Sequence, residues 1–169
     1  MRAVGFTIVS SLLMLATGLV AGCGTEIGDS CTVSSDCSPT GDRICQRGAD
    51  LPQGYCTIMG CDHDTCPDES VCVRFFAVAE TGKTCDPGTE ETTPSCDPEE
   101  FCTLSGSCVP RTAEIRFCMR TCGNDGDCRD GYECRDRQRM IEHGGEPVFP
   151  PDIDRLAGNL RSFCAAAPR

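Results

Sequence analysis

Tryptophan is absent from the 169 residues, tyrosine and histidine occur twice each, and aromatics make up only 5%. A chain so poor in large side chains cannot build an extensive apolar core, so a fold held by burial alone is excluded and covalent staples are needed to offset chain entropy. The two histidines, His63 and His143, both lie in polar surroundings, and no serine stands in a nucleophile-elbow context. Catalysis therefore has little to stand on, and the expectation is a protein that is not an enzyme. Basic residues are also short, at 15 against 26 acidic ones, for a net charge of −11. No basic patch interleaved with aromatics exists, which argues against a nucleic-acid partner.

What the chain has in excess is cysteine. Seventeen of 169 residues is about a tenth of the chain, the density of a disulfide scaffold in an exported protein. The expected fold class is small and disulfide-rich: tandem cysteine-rich modules of short β-hairpins and loops, with one short C-terminal helix.

The single long apolar run lies at the start. Arg2 gives a positive amino-terminal region, Val4 to Val20 an apolar stretch, and Val20-Ala21-Gly22 a small-residue cleavage site. Residues 1–22 read as an export signal. A membrane helix is the competing reading, but Thr7, Ser10, Ser11 and Thr17 dilute the run and no basic flank follows. Leu19-Val20-Ala21-Gly22-Cys23 looks like a bacterial lipobox, in which the cysteine is acylated and becomes the new N-terminus. Val20 stands where leucine is commoner. Gly24 is not the aspartate that favours inner-membrane retention in enteric bacteria, so the implied address is the outer membrane or cell surface. Residues 23–30 then read as a lipidated tether.

Setting Cys23 aside leaves an even sixteen cysteines, which can all pair. In fours they are Cys31, Cys37, Cys45 and Cys56; Cys61, Cys66, Cys72 and Cys85; Cys96, Cys102, Cys108 and Cys118; Cys122, Cys128, Cys134 and Cys164. Short gaps followed by a longer return mark an internal repeat. In this register residues 31–85 and 96–164 are two eight-cysteine modules, and residues 86–95 are the linker. A competing register rests on Gly28-Asp29-Ser30-Cys31 matching Gly82-Lys83-Thr84-Cys85 and Gly54-Tyr55-Cys56 matching Gly106-Ser107-Cys108. There Cys85 opens the second module, one repeat is a cysteine short and Cys118 is spare, so the fours are preferred. Connectivity is open from sequence; an interleaved pairing, first to third and second to fourth, is the working expectation.

Val71 to Val78 reads as a strand, with Ile115 to Met119 its counterpart in the second module. The last return, residues 135–163, is an outlier. Arg135 to Arg139 is charged and His143 to Pro147 a flexible insertion. Beyond Pro150-Pro151, Ile153, Leu156, Leu160 and Phe163 recur at helical spacing, predicting a short helix ending at Cys164.

Charge is uneven. Residues 24–110 carry 16 acidic and 4 basic side chains, whereas 111–169 carry ten of each. A solvated acidic face explains this simply. Calcium is the sharper alternative: Asp62, Asp64 and Asp68 with Glu69, and Asp125 and Asp127 with Asp130 and Glu133, place oxygens at alternating spacing, although Arg129 occupies a ligand position. Zinc on the cysteine clusters requires a reducing compartment. No resident cofactor is expected otherwise.

The lipobox, the Cys-x5-Cys-x5-Cys units, Asp36-Cys37, Asp127-Cys128 and Gly131-Tyr132-Glu133-Cys134 together resemble the cysteine-rich repeat lipoproteins of Gram-negative bacteria, over Cys23 to Cys134. A looser similarity links them to EGF-like modules. The resemblance implies an exported, anchored, disulfide-rich protein, in contact with the membrane through its lipid. The expected function is a non-catalytic binding module for a protein or glycan. A structural, protease-resistant envelope protein and a Ca²⁺-stabilised adhesion-type module are the alternatives. Exposed aromatics such as Phe75, Phe76, Tyr55 or Tyr132 gathered on one face would favour binding.

Overall fold

In the computed structural model the described residues are 25–77, 82–89, 94–150, 156 and 160–168. All sixteen cysteines among them form eight disulfides, in a small fold of short antiparallel pairs with two helices. The elements are α1 (Ser34–Cys37), β1 (Ile44–Gln46), β2 (Tyr55–Thr57), β3 (Ser70–Phe76), β4 (Glu100–Cys102), β5 (Cys108–Pro110), β6 (Glu114–Arg120), β7 (Tyr132–Arg135), α2 (Arg137–His143), β8 (Glu146–Pro147) and β9 (Phe163–Ala166).

One local design recurs four times. A third and a fourth cysteine face each other across an antiparallel pair: Cys45 and Cys56 on β1–β2, Cys72 and Cys118 on β3–β6, Cys102 and Cys108 on β4–β5, Cys134 and Cys164 on β7–β9. Neither bonds the other. The third reaches back to the first cysteine of its unit and the fourth to the second: Cys31–Cys45 with Cys37–Cys56, Cys61–Cys72 with Cys66–Cys118, Cys85–Cys102 with Cys96–Cys108, and Cys122–Cys134 with Cys128–Cys164. The interleaved pattern thus holds in every unit, but the grouping in fours does not. Cys66 pairs with Cys118 and not with Cys85, and Cys85 opens a unit of its own. That unit, from Cys85 to Cys108, sits whole between the third and fourth cysteines of its host.

The expected boundary at 86–95 therefore falls inside a unit, between Cys85 and Cys96. The expected modules are joined across it by the β3–β6 sheet, which pairs Ser70–Phe76 with Glu114–Arg120 over seven registers. The glycine matches carried the right signal. Gly54 and Gly106 both have positive φ, 64° and 81°, and a Cβ on either would meet the carbonyl oxygen of its unit's first cysteine, at 2.4 Å from Cys31 and 3.0 Å from Cys85. Only glycine lets the chain pass there. The amides of Cys56 and Cys108 then bond the carbonyls of Asp29 and Lys83, each two residues before that first cysteine.

Strand periodicity divides the β3–β6 sheet into two unlike faces. Val71, Val73 and Phe75 lie opposite Met119, Phe117 and Ile115. This apolar face joins Tyr55, Tyr132, Met140 and Phe163 in the main core. The other face carries Cys72 and Cys118 with their staples. There Phe76 stacks on Phe101 of the inserted unit at 5.5 Å, with the Arg74 guanidinium 4.6 Å above the Phe101 ring. Tyr55 and Tyr132 are buried, so only Phe75 and Phe76 of the four aromatics singled out are partly open.

Two further expectations change. The 23–30 tether is ordered structure from Thr25 onward, because Ile27 is fully enclosed in the core. Cys23 itself lies outside the described residues. Among the described residues the last helix is Arg137–His143, where the Asp136 carboxylate caps the Arg139 amide at 3.0 Å and Gly144 closes the end, while the helix expected after Pro151 falls mostly outside the described residues. Cys164 sits in β9, and Ile153 lies outside the described residues. Among the described residues no helix is long and apolar enough to cross a membrane.

Candidate functional site

The apolar face of β3–β6 outruns the core that covers it. At the Thr121–Phe163 bridge, β6 and β9 are neighbours; beyond it they diverge and leave a groove of about 650 Å³. Phe75, Ile115, Phe117 and Met119 form its floor, and Ala165 to Pro168 one wall. Leu51, from the β1–β2 loop, forms the other, and Asp50 and Glu142 stand exposed at the rim. Ile115 retains 38% of its surface in solvent, which an interior strand residue on this face would not.

A buried ionic cluster supports the groove from behind. Arg135 on β7 donates Nε to Glu133 Oε1 at 2.9 Å. Its Nη1 reaches the carbonyls of His143 and Gly144 at 2.8 and 2.9 Å, and Nη2 the carbonyl of Ala166 at 2.9 Å. One guanidinium thus ties β7 to the end of α2 and to β9. Burial pulls Arg135 below the ordinary arginine range, and the hydrogen bond and charge of Glu133 oppose that. Glu133 Oε1 is also 2.7 Å from His143 Nδ1, so a single carboxylate orients both the guanidinium and the imidazole. His143 is therefore an oriented ring at the end of α2 rather than a residue of a flexible loop, and it lines the groove.

A second ionic joint links the first and last units. Arg129 lies 4.3 Å from the Tyr132 ring centroid and 5.6 Å from that of Tyr55, and the two rings are 5.3 Å apart. Its Nη2 donates to the Gly54 carbonyl and, at 2.7 Å, to the Tyr132 hydroxyl. The Tyr55 hydroxyl accepts from the Arg120 amide at 3.0 Å and donates to the Cys164 carbonyl at 3.2 Å. Burial raises both tyrosines above the usual phenol value.

Of the acidic residues proposed as calcium ligands, Asp125, Asp127 and Asp62 hold structural hydrogen bonds. Asp125 forms a two-oxygen ion pair with Arg139 and accepts from the Cys134 amide at 2.8 Å. Asp127 accepts from the amides of Gly123 and Asn124 at 2.7 and 3.1 Å. Asp62 caps the His63 amide at 2.9 Å and pairs with Arg116 at 3.2 Å. Asp64 stands 4.0 Å from His63 Nε2, and Asp68 is exposed. Among the described residues, every group of three or more ligand atoms drawn together contains disulfide-bonded cysteine.

Sequence reasoning missed the groove, although its signal was present: Ile115, Phe117 and Met119 alternate with charged or disulfide-bonded residues in Glu114–Arg120. Which end of that apolar row stays uncovered depends on where β9 diverges. Compared with family models, with curated proteins and with solved structures, the chain finds no match in any of the three.

Proposed function

We infer that the protein works in an extracellular or otherwise oxidising compartment, where eight disulfides in so small a fold persist. We propose that the protein is an exported lipoprotein, anchored through an acyl group on Cys23, whose stapled body is a non-catalytic binding module. Its site is the groove over Phe75, Ile115 and Phe117. Its occupant is a short segment of a partner protein that offers an apolar side chain between basic residues. The single observation behind this is an open apolar floor bounded by Asp50 and Glu142 in a chain of net charge −11. Such a rim attracts lysine or arginine and repels acidic ligands. Disulfide staples on both sides keep the floor preorganised, which lowers the ordering cost of recognition. The lipid reading is supported by the lipobox-like stretch ahead of Cys23 and by the pairing of all sixteen other cysteines.

Two measurements test it. The intact mass of membrane-extracted protein, alkylated without reduction, should begin at acylated Cys23 and carry no alkyl tags. Fluorescence anisotropy should then compare a labelled peptide with a leucine–phenylalanine centre and lysine flanks against its glutamate-flanked twin. The lysine form should bind about tenfold more tightly at low salt, with the gap closing as salt screens it. Ile115→Asp should abolish the binding. Equal binding of both peptides, or unchanged binding by Ile115→Asp, refutes the site.

A further inference from the structure

The chain just after Cys23 is clamped from its first described residue. Thr25 Oγ1 donates to the Asp36 carbonyl at 2.8 Å, and Arg43 donates to the Thr25 carbonyl. The Gly28 amide bonds the Cys56 carbonyl at 2.9 Å, Glu26 pairs with Arg120 at 3.0 Å, and Ile27 has no exposed surface. Cys23 and Thr25 are two residues apart, and that length of chain reaches about 7 Å at full extension. The clamp lies at one end of the long β3–β6 pair, where Arg120 partners Ser70. The groove opens toward the other end, near Phe75 and Ile115, and the inserted unit sits beyond it. Seven paired residues span about 20 Å.

We propose that the body stands on the bilayer by this one pole, with the groove and the inserted unit held away from the membrane. The inference rests on the lipid-anchor reading and adds an orientation that an acylated cysteine does not by itself imply. A long leash lets a domain roll; a two-residue leash ending at the clamped Thr25, just ahead of the buried Ile27, does not. The chemistry of the pole selects its lipid. Val33 opens α1, within one helical turn of the Asp36 carbonyl that holds Thr25, and it is 52% exposed. It can rest among headgroups. At this pole Glu26, Asp29, Asp36, Asp42 and Glu69 outnumber Arg43, Arg120 and Arg47, which donates to the Thr32 carbonyl at 3.1 Å, so the fitting surface is a zwitterionic bilayer and an anionic one repels the pole.

The absence of tryptophan gives a silent background for the test. Val33→Trp and Thr40→Trp place one fluorophore at the pole, and Ser105→Trp places one at the turn of the inserted unit. Each acylated variant is incorporated into phosphatidylcholine vesicles carrying a nitroxide high on the acyl chain. Flotation with the vesicles reports the anchor, and quenching within the floated fraction reports orientation. Floated protein should show at least about threefold stronger quenching at positions 33 and 40 than at 105, given a reach of about 7 Å against about 20 Å more. A flexible glycine–serine insert of about a dozen residues after Gly24, with a reach of roughly 20 Å, should bring position 33 down to the level of 105. Equal quenching at the three positions in floated protein, or no effect of the insert, overturns the orientation while leaving the anchor intact. Protein that does not float at all overturns the anchor, and the orientation falls with it. Variants with no alkylatable thiols are the folded ones, and the two pole positions substitute for each other if one variant misfolds.

Discussion

Replacing Cys66 by alanine tests the nested architecture most directly. The Cys66–Cys118 bond closes a span of 52 residues. Some of that span is already shortened in the unfolded chain, because the Cys85–Cys102 bond bypasses the residues between them. The shorter path from Cys66 to Cys118 is then about 36 residues, and the loop-closure relation gives about 4 kcal/mol for either length. The logarithm makes the estimate insensitive to which path is used. For a chain of this size each kcal/mol lowers the melting temperature by roughly 2–4 °C, so Cys66→Ala should melt roughly 8–16 °C below the parent. The variant should also contain one free thiol. Denaturing it at low pH, alkylating with N-ethylmaleimide and mapping the peptides should place the tag on Cys118. A tag on Cys85 would restore the grouping in consecutive fours and remove the inserted unit from the fold. A melting temperature unchanged within a degree or two would refute the view that this bond closes the host unit.

Because the Ala77 amide donates to the Ala113 carbonyl at 3.2 Å, residues 78–112 are replaceable by an Asn-Gly turn that closes β3–β6 as a two-residue hairpin. The shortened protein should form its six remaining disulfides, as counted by alkylation; free thiols would show that the host needs its insert to fold. Arg129→Met removes a cation over two rings and the hydrogen bonds to Gly54 and Tyr132, and should cost about 2 kcal/mol in denaturant unfolding. In a double-mutant cycle with Tyr132→Phe, an additive result would deny that the two act together. The hydrogen bond from Arg139, with that from the Cys134 amide, holds the Asp125 carboxyl at about 2, below its ordinary 3.8. Folding is therefore favoured by this group above about pH 4, and the benefit is lost as pH falls toward 2. Asp125→Asn should be less stable at neutral pH and converge with the parent by pH 2, with thermal melts across that range as the readout.

Composition and spacing carried the fold class a long way. A tenth of the residues as cysteine, almost no aromatics and short repeating gaps leave few alternatives to stapled hairpins, and both long strands lay in the apolar runs that marked them. Cysteine spacing marked the repeat but left the pairing within each unit open. It could not carry the register, because nothing in the spacing distinguishes a long gap that is a loop from one that contains another complete unit. The repeated glycines did carry that information: Gly54 and Gly106 mark equivalent crossings over Cys31 and Cys85. The helical spacing of 153–160 falls mostly outside the described residues; at its end, Phe163 is apolar because it faces the core from β9. Near 140 the helix depends on the Asp136 cap and on the buried Met140 more than on any long stripe.

The candidate site divides the same way. The alternation of Ile115, Phe117 and Met119 determined that one face of β6 would be apolar, since strand geometry sends every second side chain to the same side. Whether that face would be fully covered was decided by the divergence of β9, which the Cys128–Cys164 and Cys122–Cys134 bonds position from over ten residues away in the chain. Glu133, Arg135 and His143 look like ordinary surface polar residues in the sequence, and only the convergence of β7, α2 and β9 brings them together, with Glu133 and Arg135 buried. Local chemistry set what each segment could be. Long-range pairing, which has no local signature, decided which segments met.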